Sequence, residues 1–226
     1  MVDIDLVYQK VLALANKEQR GYITPQEFNL FADQAQKEIF EQYFYDLNKL
    51  LKTSGTSSEY TDIITNLNEK INVFEFTGSD TTIPGDCYRL GTVSHNGRVV
   101  EEVQPDELLY IKQSPLLKPT AHRRVYVREQ NNIDVYPSVN NTSSIEFTYI
   151  TKPSRPSWGY FVVGGKALFD PSTGATGKTN HFDLHPSEET ELVFRILKYA
   201  GISIQKDEVL GSGQGLESLQ VQQEKQ

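Results

Sequence analysis

Residues 16–28 have the outline of a calcium-binding EF-hand loop. Counting Asn16 as position 1 puts Gly21 at position 6, Ile23 at 8 and Glu27 at 12. That spacing would fold oxygen ligands around a dication. The chemistry fails at two positions, the first of which is position 1, where Asn16 supplies an amide rather than a carboxylate. Arg20, at position 5, brings a cation where an oxygen is needed, and ligand charge at positions 1, 3, 5 and 12 sums to −1. Thr24-Pro25-Gln26-Glu27 accounts for the same residues without a metal. Thr24 fits a helix N-cap, Pro25 the first helical position and Glu27 the reciprocal partner in a capping box.

A second imitation is Ser172 to Thr179, which ends in Gly177-Lys178-Thr179 like a phosphate loop but has Ser172 in place of the first glycine. A phosphate loop must also open a helix, whose free N–H groups cradle the anion. Here Asn180, His181 and Phe182 continue as a short strand toward Pro186, so a polar hairpin tip is expected. His181, Asp183 and His185 would share one face of that strand, with Phe182 and Leu184 on the other. Zinc at an i, i+4 histidine pair needs a helix, and Pro186 argues against one. Cys87 sits beside Asp86, which raises a thiol pKa. Glu101 and Glu102 point to opposite faces of a strand, wrong for acid–base work on one bond. Arg123 and Arg124 read as a solvated strand start. No catalytic constellation, metal site or cofactor site emerges, and the chain is expected not to be an enzyme.

Composition sets the outer bounds. The 226 residues contain 22 Lys and Arg against 30 Asp and Glu, a net charge of −8. Such a balance argues against general nucleic-acid binding. At ~150 residues per domain, one or two domains are expected. No apolar run reaches the ~18 residues of a membrane span, and the N-terminus does not read as a secretory signal. One cysteine excludes an internal disulfide.

The elements follow from periodicity. Ile4, Val7, Val11 and Leu14 form one helical stripe. Phe28, Phe31, Ala35, Ile39, Tyr43, Leu47 and Leu50 hold a 3/4 rhythm over about seven turns. A third helix is predicted over Glu59 to Lys70. From residue 71 the period changes to 2, and a strand is predicted there. Asn96-Gly97 marks a hairpin. Pro105 to Tyr110 reads as short helix, Arg123 to Arg128 with Ile133 to Pro137 as a second hairpin, and Ser144 to Thr151 as a further strand. Tyr160 to Phe169 with Asn180 to Leu184 is predicted as a final hairpin. Pro186 to Ala200 is a closing helix with Gly201 as its stop. The expected class is α+β: residues 1–70 and 186–204 form a helical bundle, 71–185 an inserted antiparallel β platform, and 205–226 a flexible polar tail.

The order of these elements resembles a known family. Ile83-Pro84-Gly85-Asp86-Cys87-Tyr88-Arg89-Leu90 enters the β region, Ile133-Asp134-Val135-Tyr136-Pro137 ends a strand, and Ile145-Glu146-Phe147-Thr148-Tyr149 leads to Pro153. His185-Pro186-Ser187-Glu188-Glu189 opens the closing helix. Over residues 25–204 this resembles the head–tail connector proteins of short-tailed bacteriophages, the adaptor or tail tubular protein A class. Residues 15–29 further look like virion structural proteins of marine and gut phages, including the crAss-like group. The segment from Lys52 to Lys70 departs from the tail tubular pattern, which leaves open a different neck or tail ring.

The resemblance implies a virion protein assembled in the host cytoplasm. It implies a homo-oligomeric ring of twelve copies docked on the portal protein, with tail or ring proteins downstream. DNA would pass its channel without sequence-specific binding, and no catalysis, cofactor or membrane is involved. A calcium-binding interaction module through residues 16–27 is the competing expectation.

Overall fold

The computed structural model describes residues 1–17, 23–52, 58–139, 145–173 and 178–203. Five helices are described: α1 (Ile4–Lys17), α2 (Pro25–Lys52), α3 (Ser58–Asn72), α4 (Pro105–Gln113) and α5 (Glu189–Ser203). The strands are β1 (Glu75–Ser79), β2 (Cys87–His95), β3 (Arg98–Val99), β4 (Glu101–Glu102), β5 (Val125–Glu129), β6 (Asn132–Tyr136), β7 (Ile145–Thr151), β8 (Tyr160–Val163) and β9 (Lys166–Phe169). The fold is α+β. It divides into two compact units, residues 1–73 with 153–226, and residues 74–152.

The first unit is built on helix stripes. Ile4, Val7 and Val11 are buried on α1, but the stripe continues through Ala15 rather than Leu14, which is exposed. On α2 the buried positions are Phe28, Ala32, Ala35, Gln36, Ile39, Phe40 and Tyr43, spaced at 3 and 4 as an inward face requires. α5 buries Leu192, Val193, Ile196, Leu197 and Ala200 and packs on α1 and α2. Each fully buried leucine, valine or isoleucine contributes about 1.5–3 kcal/mol. α5 does not stop at Gly201 but runs to Ser203. The polar tail expected from residue 205 lies outside the described residues.

Two boundaries differ from the sequence expectation. The strand predicted from residue 71 starts only at Glu75, because α3 continues to Asn72. Buried Ile71 extends the helical spacing of Ile64 and Leu67, so the 3.6 period wins there. Residues 153–185, expected in the β platform, belong with the helices. Trp158 explains why. Its ring lies 4.5 Å from Tyr8 of α1, and its indole N–H donates to Asp5 Oδ1 at 2.9 Å. Its backbone N–H donates to Asn29 Oδ1 of α2 at 2.7 Å. Buried Gln36 donates to the Ser154 carbonyl at 2.6 Å and accepts from the Asp183 N–H at 3.0 Å. Val2 and Phe182 form a reciprocal backbone bridge. The final hairpin also differs from expectation. It lies within Tyr160–Phe169, turning at Gly164-Gly165, both at positive φ. Asn180 instead bridges Ser157.

The second unit holds two sheets. One has the order β1-β7-β2-β3 and is antiparallel throughout. The other has the order β4-β5-β6. Its β4–β5 pair is parallel, which corrects the expectation of a wholly antiparallel platform. β3 pairs with β2 for only two residues, across the Asn96-Gly97 turn, before the chain crosses to the second sheet. Ile83, Val93, Val100, Tyr126, Ile133, Val135, Ile145 and Phe147, drawn from both sheets, form the core. Leu108 of α4 packs with Val103, Val125 and Val127 in a smaller cluster.

Gly78 of β1 is set opposite Phe147 of β7. A Cβ at Gly78 would fall 2.5 Å from the Phe147 ring, which is buried and has no room to yield. Gly78→Ala is therefore expected to cost about 1–3 kcal/mol by overpacking. Hydrogen exchange of the β7 amides checks this; unchanged protection would contradict it.

Candidate functional site

The chemistry-bearing stretches are engaged in structure. Residues 18–22 of the EF-hand imitation lie outside the described residues. At its end, the Thr24 N–H donates to Glu27 Oε2 at 3.0 Å, and the Glu27 N–H donates to Thr24 Oγ1 at 3.3 Å. The Thr24 hydroxyl also donates to Glu27 Oε2, at 2.8 Å. These bonds, the backbone one foremost, hold the Glu27 carboxyl below its usual range. The carboxylate that a calcium loop would need at position 12 thus caps α2.

Residues 174–177 of the phosphate-loop imitation are likewise undescribed. On either side of them, the Thr179 N–H donates to the Ser172 carbonyl at 3.0 Å, and Asn180 exchanges backbone bonds with Ser157. No helix opens until the short 3-10 turn Pro186–Glu188. His181, Asp183 and His185 serve different partners. His181 Nδ1 accepts from the Ile4 N–H at 3.3 Å. Asp183 accepts from the Ser154 N–H at 2.7 Å. His185 caps the 3-10 turn by accepting from the Ser187 N–H at 3.3 Å. Among the described residues no three His, Cys, Asp or Glu side chains gather as a metal cage.

The remaining candidates are in the second unit. Burial, more than Asp86, pushes the Cys87 thiol up, despite Arg128 and Lys152. Arg123 pairs with Glu101 at 3.4 Å, and Arg124 donates to the Pro137 carbonyl at 2.7 Å. Glu102 accepts from the Tyr126 hydroxyl at 3.1 Å. Burial, and then the Glu102 charge, push Tyr126 up to about 12.

Among the described residues a dense cluster of ionisable groups, which the sequence reading did not single out, gathers at the start of α5 and on its inward face. Glu189 pairs with Lys10 at the surface. Glu188 is 0% and Arg195 1% exposed, and Glu191 is buried with them. The Arg195 guanidinium donates to Glu191, at 2.7 Å from Nε, and to Gln42, and lies 3.3 Å from Glu38. Lys70 of α3 pairs with Glu188 at 2.6 Å. The Tyr199 hydroxyl donates to Glu38 at 2.5 Å. Burial and the Glu38 partner push Tyr199 up to about 12. Burial works against ionised Glu38 too, but Tyr199, Arg195 and Lys198 outweigh it and keep the carboxyl low. The sequence signal was the i, i+4 pair Glu191/Arg195 lying next to the core stripe of α5. These charges tie α2, α3 and α5 together.

The surfaces carry a different signal. In the first unit Leu30, Tyr45 and Val162 are largely exposed; in the second, Val99, Tyr110 and Leu116 are. Scattered single apolar residues are normal on a surface. Runs of them, such as Phe161-Val162-Val163 on β8, mark places where a partner is expected. Among the described residues no helix is long and apolar enough to cross a membrane. No protein-family model matches the chain, and no curated protein matches it.

Proposed function

We propose that the chain is a virion structural protein, a ring-forming head–tail connector that docks on the portal and links it to the tail. The observation that carries this reading is the set of large apolar side chains left uncovered on both units, on elements whose opposite faces are already packed. Leu30 and Tyr45 project from α2 away from its buried stripe, and Val162 and Val163 stand on a hairpin with no third strand among the described residues. Copies of the same chain around a passage would cover such faces, as subunit interfaces do. The element order supports the connector class over other assemblies. The net charge of −8 suits a channel along which DNA slides, since phosphates gain little from a wall poor in cations. The buried charge cluster is a structural tie between helices and needs no catalytic role.

Native mass spectrometry at high concentration, alone and with portal protein, tests the proposal. The expected result is a closed oligomer, twelve copies by the resemblance, that binds portal. A chain that stays monomeric under both conditions overturns it.

A further inference from the structure

In an acidic chain, residues 108–128 contain five Lys and Arg and no Asp or Glu. Asp106 and Glu107 occupy the opposite, first turn of α4, and Glu101 is partnered by Arg123. The same stretch holds the most exposed leucine of the described residues, Leu116 at 93%, together with Leu109, Leu117 and Tyr110. Their exposure is not that of a slack loop. The Lys118 N–H donates to the Ser114 carbonyl at 3.1 Å, and the Thr120 N–H to the Arg123 carbonyl at 3.0 Å. α4 is anchored from its other side by Leu108 and Ile111. The turn therefore holds leucines and cations outward on a fixed base.

The sequence contains a segment of complementary chemistry. Residues 207–224 have four Asp and Glu, no Lys or Arg, and leucines at 210, 216 and 219. They belong to the 23 residues that follow the end of α5. Fully extended, such a length spans about 75 Å, enough to reach a neighbouring subunit. We propose that the C-terminal segment of one copy docks on the α4 turn of the next, its leucines against Leu116 and Leu117 and its carboxylates toward Lys118. This rests on the self-assembly proposed above and names one of its contacts. A nucleic acid fits the turn less well. Leucines gain nothing from phosphates, and several of the cations are already engaged: Arg124 by the Pro137 carbonyl, Arg123 by Glu101, and Lys112 over the Tyr136 ring at 3.9 Å. A tail that ties subunits in this way adds affinity through tethering, without a large preformed interface.

The test uses the full chain in a Cys87→Ser background carrying Gln113→Cys and Ser218→Cys, which flank the docking leucines and leave them in place. Light and isotopically heavy chains are mixed, assembled and joined with a short bis-maleimide. Linked peptides pairing light with heavy are the expected product. Lys118→Glu or Glu217→Lys alone should lower their yield about tenfold, and the two together should restore it. Links only within one isotope, or an oligomer that forms without such links, overturn the docking while leaving the ring intact. Loss of all oligomers overturns both. Retention on duplex DNA that Lys118→Glu abolishes would assign the turn to nucleic acid and overturn the proposal as well. Gln113 is exposed, so failure to fold does not cloud the result.

Discussion

Replacing Arg195 by methionine is expected to destabilise the helical unit by about 3–5 kcal/mol, the largest loss of any single side chain in its charge cluster. The guanidinium is the largest of the fully buried side chains. It answers three acceptors at once: Glu191 on its own helix, and Glu38 and Gln42 on α2. Methionine fills much of the stem volume but leaves the Glu191 and Glu38 carboxyls and the Gln42 amide oxygen without their shared donor. Taking one partner from a buried ion pair costs far more than the pair itself contributes, because the remaining charge stays desolvated. Trp158, the only tryptophan, belongs to this unit and is buried against Tyr8. Its fluorescence during urea unfolding therefore reports the effect directly. A midpoint lowered by less than the equivalent of about 1 kcal/mol would mean that the cluster is better hydrated than its burial implies.

Much of the fold was legible because its elements are long and strictly periodic. The α2 stripe, the α5 stripe, the Asn96-Gly97 turn and the Ile145/Phe147 alternation each had one reading. The misplaced parts share a cause: their structure is decided by distant contacts. Ile71 fits a strand pattern and a helix pattern equally well, and α3 takes it because its side chain completes an existing stripe. Residues 153–185 look like β platform by local pattern, yet Trp158, Ser154 and Asp183 are held by Tyr8, Asn29 and Gln36, more than 100 positions away in sequence. Two-residue β4 joins β5 in parallel, a pairing with no local signature.

One local motif among the candidate stretches was legible. The Thr24–Glu27 box forms with both reciprocal bonds, because the helix start leaves those N–H groups free and the two side chains lie one turn apart. The charge cluster was not legible. Glutamates in the first turn of a helix ordinarily face solvent and favour the dipole. Glu188 is turned inward toward Lys70, which arrives from α3 more than 100 residues earlier, and Glu191 toward Arg195 on its own helix.

That inward turn makes the stability of the unit depend on pH. Glu191 is pushed up to about 7, first by burial and then by the neighbouring Glu188, with Arg195 opposing. One oxygen of Glu188 is buried and receives no hydrogen bond from the described residues. A protonated Glu191 can donate to that carboxylate; an ionised one only repels it. The native pKa thus lies above the unfolded value of about 4.5, so the folded state takes up a proton more readily than the unfolded chain. The resulting stabilisation is fully present below pH ~4.5 and is lost as pH rises through ~7, about 3 kcal/mol in all. Glu38 faces the same arginine from α2, but its carboxyl is held low, so its opposite contribution falls away only below ~4.5 and does not overlap this window. Lys70 from α3 and Tyr199 on α5 complete the surrounding charges, and the Tyr199 hydroxyl stays protonated throughout. The urea midpoint, followed through Trp158, is expected to fall between pH 5 and pH 8. Glu191→Gln, which keeps the acceptor for Arg195 and cannot ionise, is expected to flatten that slope and to be the more stable form at pH 8. Equal slopes for the two proteins would place the titrating proton elsewhere, and carbon-13 NMR titration of the Glu191 carboxyl locates it independently.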